Sequence, residues 1–412
     1  MILIKNYKIL IAIFVICLLR LDSFSQGWFQ LNSGVIDNLY SVYFINTSTG
    51  FTVGNDKILK TTNGGLNWNF QIIPSVQLRA IQFINSSTGY TVGSFGVVLK
   101  TTNGGVNWIH TDAGLQGDLY SLFFLDAQTG FISANLETGL ILKTTNGGTN
   151  WGYVLIGGLI PYDIYFINSM TGFASYSPGY LNKSTNGGNS WFVIPTGTSS
   201  SVYSLQFINE MTGYAAGSAV IKTTNGGNNW AIQLSGNIYP YFYSIFFLNA
   251  NKGYTAGALN ITNNFIMSTT DGGSNWYSQY SSPGLLLSLF FADSITGYCV
   301  GENGLILKTT TGGVTFIKQV SGAEPKSFSL DQNYPNPFNP TTKIKFALPK
   351  SKFAKLVIYD ILGREAATLV NEQLKPGTYE ADWNASNFPS GVYFYKLITN
   401  GFADTRKMIL IK

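Results

Sequence analysis

The sequence predicts an all-β protein, a seven-bladed β-propeller followed by a small C-terminal Ig-like antiparallel β-sandwich. Three observations carry that reading. The first is the stretch Thr61-Thr62-Asn63-Gly64-Gly65-Leu66-Asn67-Trp68, which recurs at 101–108, 144–151, 184–191, 223–230 and 269–276, with a worn copy at 309–316. The third position of each copy falls at residues 63, 103, 146, 186, 225, 271 and 311, giving spacings of 40, 43, 40, 39, 46 and 40 residues. A period near forty marks a repeat architecture. The second is an upstream signature: an aromatic residue, then a Thr-Gly or Lys-Gly pair, then Phe or Tyr. Its aromatic residues are Phe44, Phe83, Phe124, Phe166, Phe207, Phe247 and Phe291. The third is a change of composition at Ser321, where a proline-punctuated segment begins.

In chain order, residues 1–25 open with Lys5 and Lys8, continue into an apolar run and end in Ser23-Phe24-Ser25. This is the pattern of a secretory signal, and its apolar run is short for a bilayer span. Once the signal is removed no transmembrane segment is expected. Cys299 is then the sole cysteine, so packing rather than an internal disulfide must hold the exported chain.

Residues 27–320 read as the propeller. Each unit contains four strand-like runs, in the first unit 40–46, 50–54, 57–61 and 68–72, as expected of a propeller blade. The Asn-Gly-Gly tripeptide supplies turn chemistry, because Asn bonds nearby amides and glycine accepts positive φ. The Trp that follows covers the turn, and its burial contributes at most about 4–6 kcal/mol. The structural positions are therefore Asn63, Trp68, Asn103, Trp108, Asn146, Trp151, Asn186, Trp191, Asn225, Trp230, Asp271 and Trp276. The segment containing Trp28 also resembles an outer strand. That gives eight candidates for seven outer positions, and ring closure by 28–32, by 316–320 or by both stays open.

Strand order sorts the connections onto two faces. The near-identical Asn-x-x-Thr-Gly and Asn-Gly-Gly turns share one face. The blade-to-blade and second-to-third connections, which vary between repeats, share the other. Variable loops on a rigid scaffold are where binding concentrates. The candidate contacts there are Arg79, Tyr162, Asp163, Tyr239 and Tyr241. A recurring lysine (Lys60, Lys100, Lys143, Lys183, Lys222, Lys308, with Ser268 in the sixth unit) reads as a solvated strand position or as an anion-binding ring.

Residues 321–332 read as a linker, and 333–412 as the sandwich, with strand runs at 342–347, 354–360, 377–383, 391–398 and 406–411. Formal charge divides unevenly. Residues 326–412 hold 12 Lys+Arg against 7 Asp+Glu, residues 1–26 hold 3 against 1, and the propeller holds 10 against 12. The basic balance belongs to the two ends, and a slightly acidic propeller argues against nucleic-acid binding.

Two resemblances become nameable on these residues. The Ser/Thr-x-Asp/Asn-x-Gly-x-x-Trp pattern is the Asp-box, or BNR repeat, and seven copies resemble the propellers of the photosystem II assembly-factor family. That resemblance implies a protein-binding scaffold, although the arginine-rich face of that family has no counterpart here. The tail resembles the C-terminal sorting domain of the type IX secretion system over about 327–412. The matching residues are Tyr334-Pro335-Asn336-Pro337, Gly363-Arg364, Gly391, Tyr393, Lys407 and Lys412. It implies a Gram-negative bacterium of the Bacteroidetes–Chlorobi kind and the type IX machinery as partner. It also implies passage across the outer membrane, removal of the tail, and surface attachment or release.

Enzymatic alternatives meet obstacles in composition. Sialidases, which carry Asp-boxes, clamp a carboxylate with three arginines, and Arg79 is the only arginine between residues 27 and 325. A xyloglucanase-type glycoside hydrolase needs two opposed carboxylates, and the pair that suggests itself is Asp118 with Asp163. His110, the sole histidine, follows Trp108 on an outer strand and assembles no catalytic set. No catalytic residue, metal site or cofactor is assigned. The expected molecule is a monomeric, secreted or surface-attached, non-catalytic module with an unknown protein or glycan ligand.

Overall fold

The computed structural model describes residues 27–412 apart from 158–159, 177–178, 199–200, 236–240, 261–262, 314–316 and 386–387. The signal segment, Tyr239 and Phe316 lie outside the described residues. The chain divides into two compact units, the second beginning at Ile317.

In the first unit the described residues form seven antiparallel blades, five as four-stranded sheets and two in one six-stranded sheet, where the long strand Gly50–Thr61 supplies the second and third runs of blade 1. Blades 3 to 6 take their strands in chain order, 118–155, 164–195, 202–235 and 241–282. Blades 1 and 2 share one continuous sheet, because the strand Asn69–Phe83 runs from the outer position of blade 1 to the inner position of blade 2. Blade 7 contains Leu286–Phe291, Gly297–Gly301 and Ile306–Gly313, and its outer strand is Gly27–Leu31. The inner strands of successive blades touch around the whole circle, that of blade 7 meeting that of blade 1.

The N-terminal strand therefore closes the ring. Ile317–Ser321, by sequence the outer strand of blade 7, pairs instead with Gly377–Asn384 in the second unit. The second unit thus begins at Ile317 rather than after the expected limit at 320, and the expected linker 321–332 includes the strand Ser329–Leu330. Trp28 explains the outcome. It stands edge-on to Phe291 at 5.8 Å and 87°, as Trp68 stands to Phe44 (6.1 Å, 87°) and Trp276 to Phe247 (6.0 Å, 88°). It fills the tryptophan position that the worn copy at 309–316 lacks, and at 1% exposure it is a core residue.

Blades join through a repeated contact. The second residue of each second strand stacks on the inner-strand Phe of the next blade: Tyr214 on Phe247 at 3.5 Å, Phe131 on Phe166 at 3.8 Å, and Tyr298 on Phe44 at 3.6 Å across the closure. The preceding glycine is required because the inner-strand Phe of its own blade lies along it. A Cβ on Gly130 would come within 2.5 Å of the Phe124 ring. Stacked aromatic pairs contribute about 0.5–1.5 kcal/mol beyond their buried area.

The second unit is a sandwich of two four-stranded sheets. One contains Ile317–Ser321, Gly377–Asn384, Thr341–Leu348 and Ser329–Leu330. The other contains Glu365–Leu374, Lys352–Tyr359, Gly391–Thr399 and Phe402–Leu410. The strand Glu365–Leu374 was not among the expected runs, since its sequence EAATLVNEQL lacks a regular alternation of apolar and polar residues. Met408 and Leu410, near the chain end, are fully buried. Asn336 Oδ1 accepts the Ile409 N–H at 3.0 Å and so ties the proline-punctuated segment to the C-terminal strand, while Tyr393 Oη donates to the Pro389 carbonyl at 2.8 Å and fixes the start of its own strand.

Candidate functional site at the channel mouth

The two faces of the propeller differ in what their side chains do. On the Asp-box face each motif is closed upon itself. Thr61 Oγ1 accepts the Gly65 N–H at 2.9 Å and donates to Asn63 Oδ1 at 3.0 Å, and Asn63 Oδ1 accepts the Asn67 N–H at 3.0 Å. Asp271 makes the same bonds in blade 6, and the Asn275 side-chain amide first, then the Asn275 N–H and the Thr269 hydroxyl, hold its carboxyl below the usual range. Asp126 and Asp293, which stand where other repeats carry Asn, cap the neighbouring turns.

The recurring lysines are neither solvated nor gathered into an anion site. Lys60 donates to the Gly104 carbonyl at 2.7 Å, Lys100 to Gly147 at 2.7 Å, Lys143 to Gly187 at 2.7 Å and Lys183 to Gly226 at 2.7 Å. Lys222 donates to Gly272 at 2.8 Å and Lys308 to Gly64 at 2.8 Å. Each lysine thus latches its blade to the Asp-box of the next. Burial pulls Lys183 and Lys308 below the usual amine range. In blade 6, where Ser268 replaces lysine, Tyr254 Oη alone reaches the Gly312 carbonyl at 2.7 Å, and Lys252 lies over the Tyr254 ring at 5.7 Å.

The inner strands carry a second circuit. Three residues before its Phe, each strand except that of blade 2, which has Ala80 there, presents a polar group to the next blade. The Ile245 N–H donates to Ser204 Oγ at 3.2 Å, the Leu289 N–H to Ser244 Oγ at 3.0 Å and the Val42 N–H to Ser288 Oγ at 3.3 Å. Asp163 occupies this place in blade 4. Its carboxylate accepts the Leu205 N–H at 2.7 Å, the Ile164 N–H at 2.9 Å and the Ser121 hydroxyl at 2.6 Å. Burial pushes its pKa up to about 6 against these bonds. Asp163 therefore ties blades 3, 4 and 5 together. Asp118 is engaged elsewhere, accepting Arg79 Nη2 at 3.0 Å. The two carboxylates considered as a catalytic pair are committed to different partners.

One residue earlier in each inner strand lies the mouth of the channel. The equivalent positions are Tyr40, Arg79, Tyr120, Tyr162, Tyr203, Tyr243 and Leu287, all partly buried. Arg79 lies over the Tyr120 ring at 4.5 Å and donates Nε to Gln77 at 2.9 Å. From Tyr120 the rings continue to Tyr162 (5.7 Å), to Tyr203 (4.9 Å) and to Tyr243 (5.3 Å), with Tyr241 6.1 Å from Tyr243. Burial pushes the Tyr203 hydroxyl up to about 12, so it stays a donor at neutral pH.

Beside Arg79 opens a cleft of ≈ 580 Å³, lined by Asp37, Asp56, Gln77, Phe95 and Asp118 among others. It lies where the chain crosses from blade 1 to blade 2, at a bend marked by φ values of 56° at Asp56 and 61° at Ser75. Of the sequence candidates, the structure joins Arg79, Tyr162 and Tyr241 in one arc and places Asp163 in the blade-to-blade circuit. Tyr120, Tyr203 and Tyr243 were missed. The signal for them was register, since each stands four residues before an inner-strand Phe. Cys299 is buried, and burial pushes its thiol up, so it is a core residue. His110 is exposed on its outer strand. Among the described residues no cluster of potential metal ligands occurs, and no helix is long and apolar enough to cross a membrane.

Comparison with known proteins agrees with both halves of the chain. Residues 22–156 match the family model described as photosynthesis system II assembly factor YCF48, and residues 332–412 match the secretion system C-terminal sorting domain. Among solved structures, YCF48 bound to D1 peptide is 20% identical with a TM-score of 0.58, over 69% of this chain and 95% of that one. YCF48 from Cyanidioschyzon merolae is 18% identical with a TM-score of 0.56, over 68% and 98%. The WD40 propeller domain of Doa1 is 10% identical with a TM-score of 0.56, over 69% and 96%. A search of curated proteins found no match. The chain thus combines a YCF48-like β-propeller with a type IX secretion C-terminal sorting domain, which indicates secretion or cell-surface attachment.

Proposed function

We propose that the propeller is a non-catalytic binding module, acting after export, that engages a protein or glycan at the mouth of its channel. The observation that carries this reading is the contrast at equivalent positions. On the Asp-box face the repeated side chains are bonded within the motif or to the next blade. At the mouth the corresponding set is diversified into five tyrosines, one arginine and one leucine. Tyrosine offers a large contact area with few rotors and a polar tip. A propeller of this fold has been solved with a D1 peptide bound, which is consistent with the scaffold presenting a face to a peptide. On this reading the sorting domain delivers the chain across the outer membrane, is removed near residues 317–332, and leaves the propeller attached to the surface or released.

Two experiments test it. Full-length protein, applied to arrayed glycans and to purified surface proteins, should bind a ligand whose capture falls in Tyr162→Ala and Tyr241→Ala while the melting temperature stays within a few degrees. A stability loss as large as that of a core variant would return these tyrosines to the framework. Deleting residues 406–412 should trap the protein in the periplasm, because it removes Met408 and Leu410 from the sandwich core; normal surface delivery of that variant would contradict the export route. The hydrolase reading finds one favourable observation, the raised pKa of Asp163. Glycan turnover that vanished in Asp118→Asn or Asp163→Asn would replace the binding module with an enzyme.

A further inference from the structure

We propose that the ligand of the tyrosine arc is a basic protein segment, with an arginine or lysine side chain entering the mouth between Tyr203, Tyr243 and Glu302. This rests on the mouth being the binding surface.

The molecule already shows how the mouth holds a cation. Arg79 lies over the Tyr120 ring at 4.5 Å and pairs with Asp118 at 3.0 Å. A cation over an aromatic face with a carboxylate beside it combines two attractions that strengthen as water is excluded. The same ingredients recur at blades 5 to 7 without a resident cation. Tyr203 and Tyr243 lie 5.3 Å apart with Tyr241 alongside. Glu302 stands at this end of the arc: its backbone N–H donates to the Leu285 carbonyl at 3.1 Å, two residues before Leu287, the arc position that follows Tyr243. Glu302 accepts the Leu285 N–H at 3.1 Å and has no ion-pair partner among the described residues. Asp56, on the cleft wall, likewise accepts a backbone N–H, that of Val76 at 3.0 Å.

The propeller's own cations are committed elsewhere. Lys57 pairs with Asp37, Lys252 covers Tyr254, and the remaining lysines up to residue 313 latch blades together. The mouth is therefore a π-rich, net acidic surface. It opposes acidic ligands, offers a neutral glycan no charge complement, and favours a guanidinium or ammonium group. Guanidinium is preferred, since its plane stacks on a ring while its edge meets a carboxylate.

The test is calorimetric titration of the full chain with four probes: an acetylated, amidated Gly-Arg-Gly-Arg-Gly peptide, its lysine and glutamate counterparts, and the neutral glycan cellohexaose. The arginine peptide should bind best and the lysine peptide next, with the glutamate peptide and the glycan showing no heat. Affinity should fall with added salt. It should fall at least tenfold in Tyr203→Ala and in Glu302→Gln, while Tyr203→Phe, which keeps the ring, should bind nearly as the parent does. Cellohexaose binding lost in Tyr203→Ala, with no peptide binding, would overturn the basic class and leave the mouth as the site. Arginine-peptide binding that survived both Tyr203→Ala and Glu302→Gln would overturn this inference and the choice of the mouth together. Absence of binding by all four probes would overturn the basic-ligand inference.

Discussion

The Asp-box face and the channel mouth are built from the same repeat yet answer to different constraints. On the Asp-box face, Thr, Asn, Gly and Lys recur because each has a fixed partner in its own turn or in the next blade. Where Ser268 replaces lysine, Tyr254 keeps the bond to Gly312 that Tyr90 and Tyr214 share with a lysine elsewhere, and Trp28 arrives from the chain's beginning where the seventh motif lacks its tryptophan. At the mouth, equivalent positions hold Tyr, Arg or Leu, and no shared partner explains the choice. Repetition here marks what the fold needs, and departure from it marks what the fold leaves open for use.

That contrast can be attacked first at the closure. Trp28→Ala should destabilise by about 4–5 kcal/mol, near the top of the range for emptying a tryptophan site, because it empties a fully buried position and loosens the strand that completes the ring. Trp151→Ala, at a partly exposed position, should cost about 3 kcal/mol. Denaturant unfolding that ranked Trp28 below Trp151 would mean another segment closes the ring. The next largest effect belongs to a latch. Lys183→Met leaves the Gly226 carbonyl and Asn228 without their charged donor and should cost about 1–3 kcal/mol. A neutral outcome would show that stacking alone joins the blades.

The circuit between blades has a pH signature. The pKa of Asp163 is raised from 3.8 to about 6 in the fold, so the folded state holds the proton more tightly than the unfolded chain does. Its contribution is present below about pH 4 and is lost as pH rises through about 6. Between pH 8 and pH 5 the melting temperature of the parent should therefore rise relative to that of Asp163→Asn. A constant difference between the two would place the carboxylate in water. The smallest stability effect is expected at the mouth, where Tyr241→Ala should change the melting temperature by no more than a few degrees, since the ring is 37% exposed.

Much of the framework was legible in the sequence because its signals are local. The forty-residue period, the turn residues around Asn63 and the aromatic before each Thr-Gly pair specify the blades without long-range information. Closure was less legible. The segments at 28–32 and 316–320 are equally good outer strands, and only packing distinguishes them: Trp28 fits edge-on to Phe291, while Ile317–Ser321 finds an open edge at Gly377–Asn384. The mouth was legible in part. Arg79, Tyr162 and Tyr241 could be placed from loop position. Tyr120, Tyr203 and Tyr243 needed the inner-strand register, and Asp163 looked like a loop acid until its alignment with Ser204 and Ser244 showed it facing the next blade.

The division of labour between the two faces rests on one paired comparison, Tyr203→Ala against Lys183→Met, each scored for melting temperature and for affinity toward the arginine peptide. Tyr203→Ala should lose at least tenfold in affinity and melt within a few degrees of the parent. Lys183→Met should melt clearly lower and bind with unchanged affinity while folded. If Tyr203→Ala melted as low as Lys183→Met, or if Lys183→Met lost affinity at a temperature where it remains folded, stability and binding would not be separated between the faces.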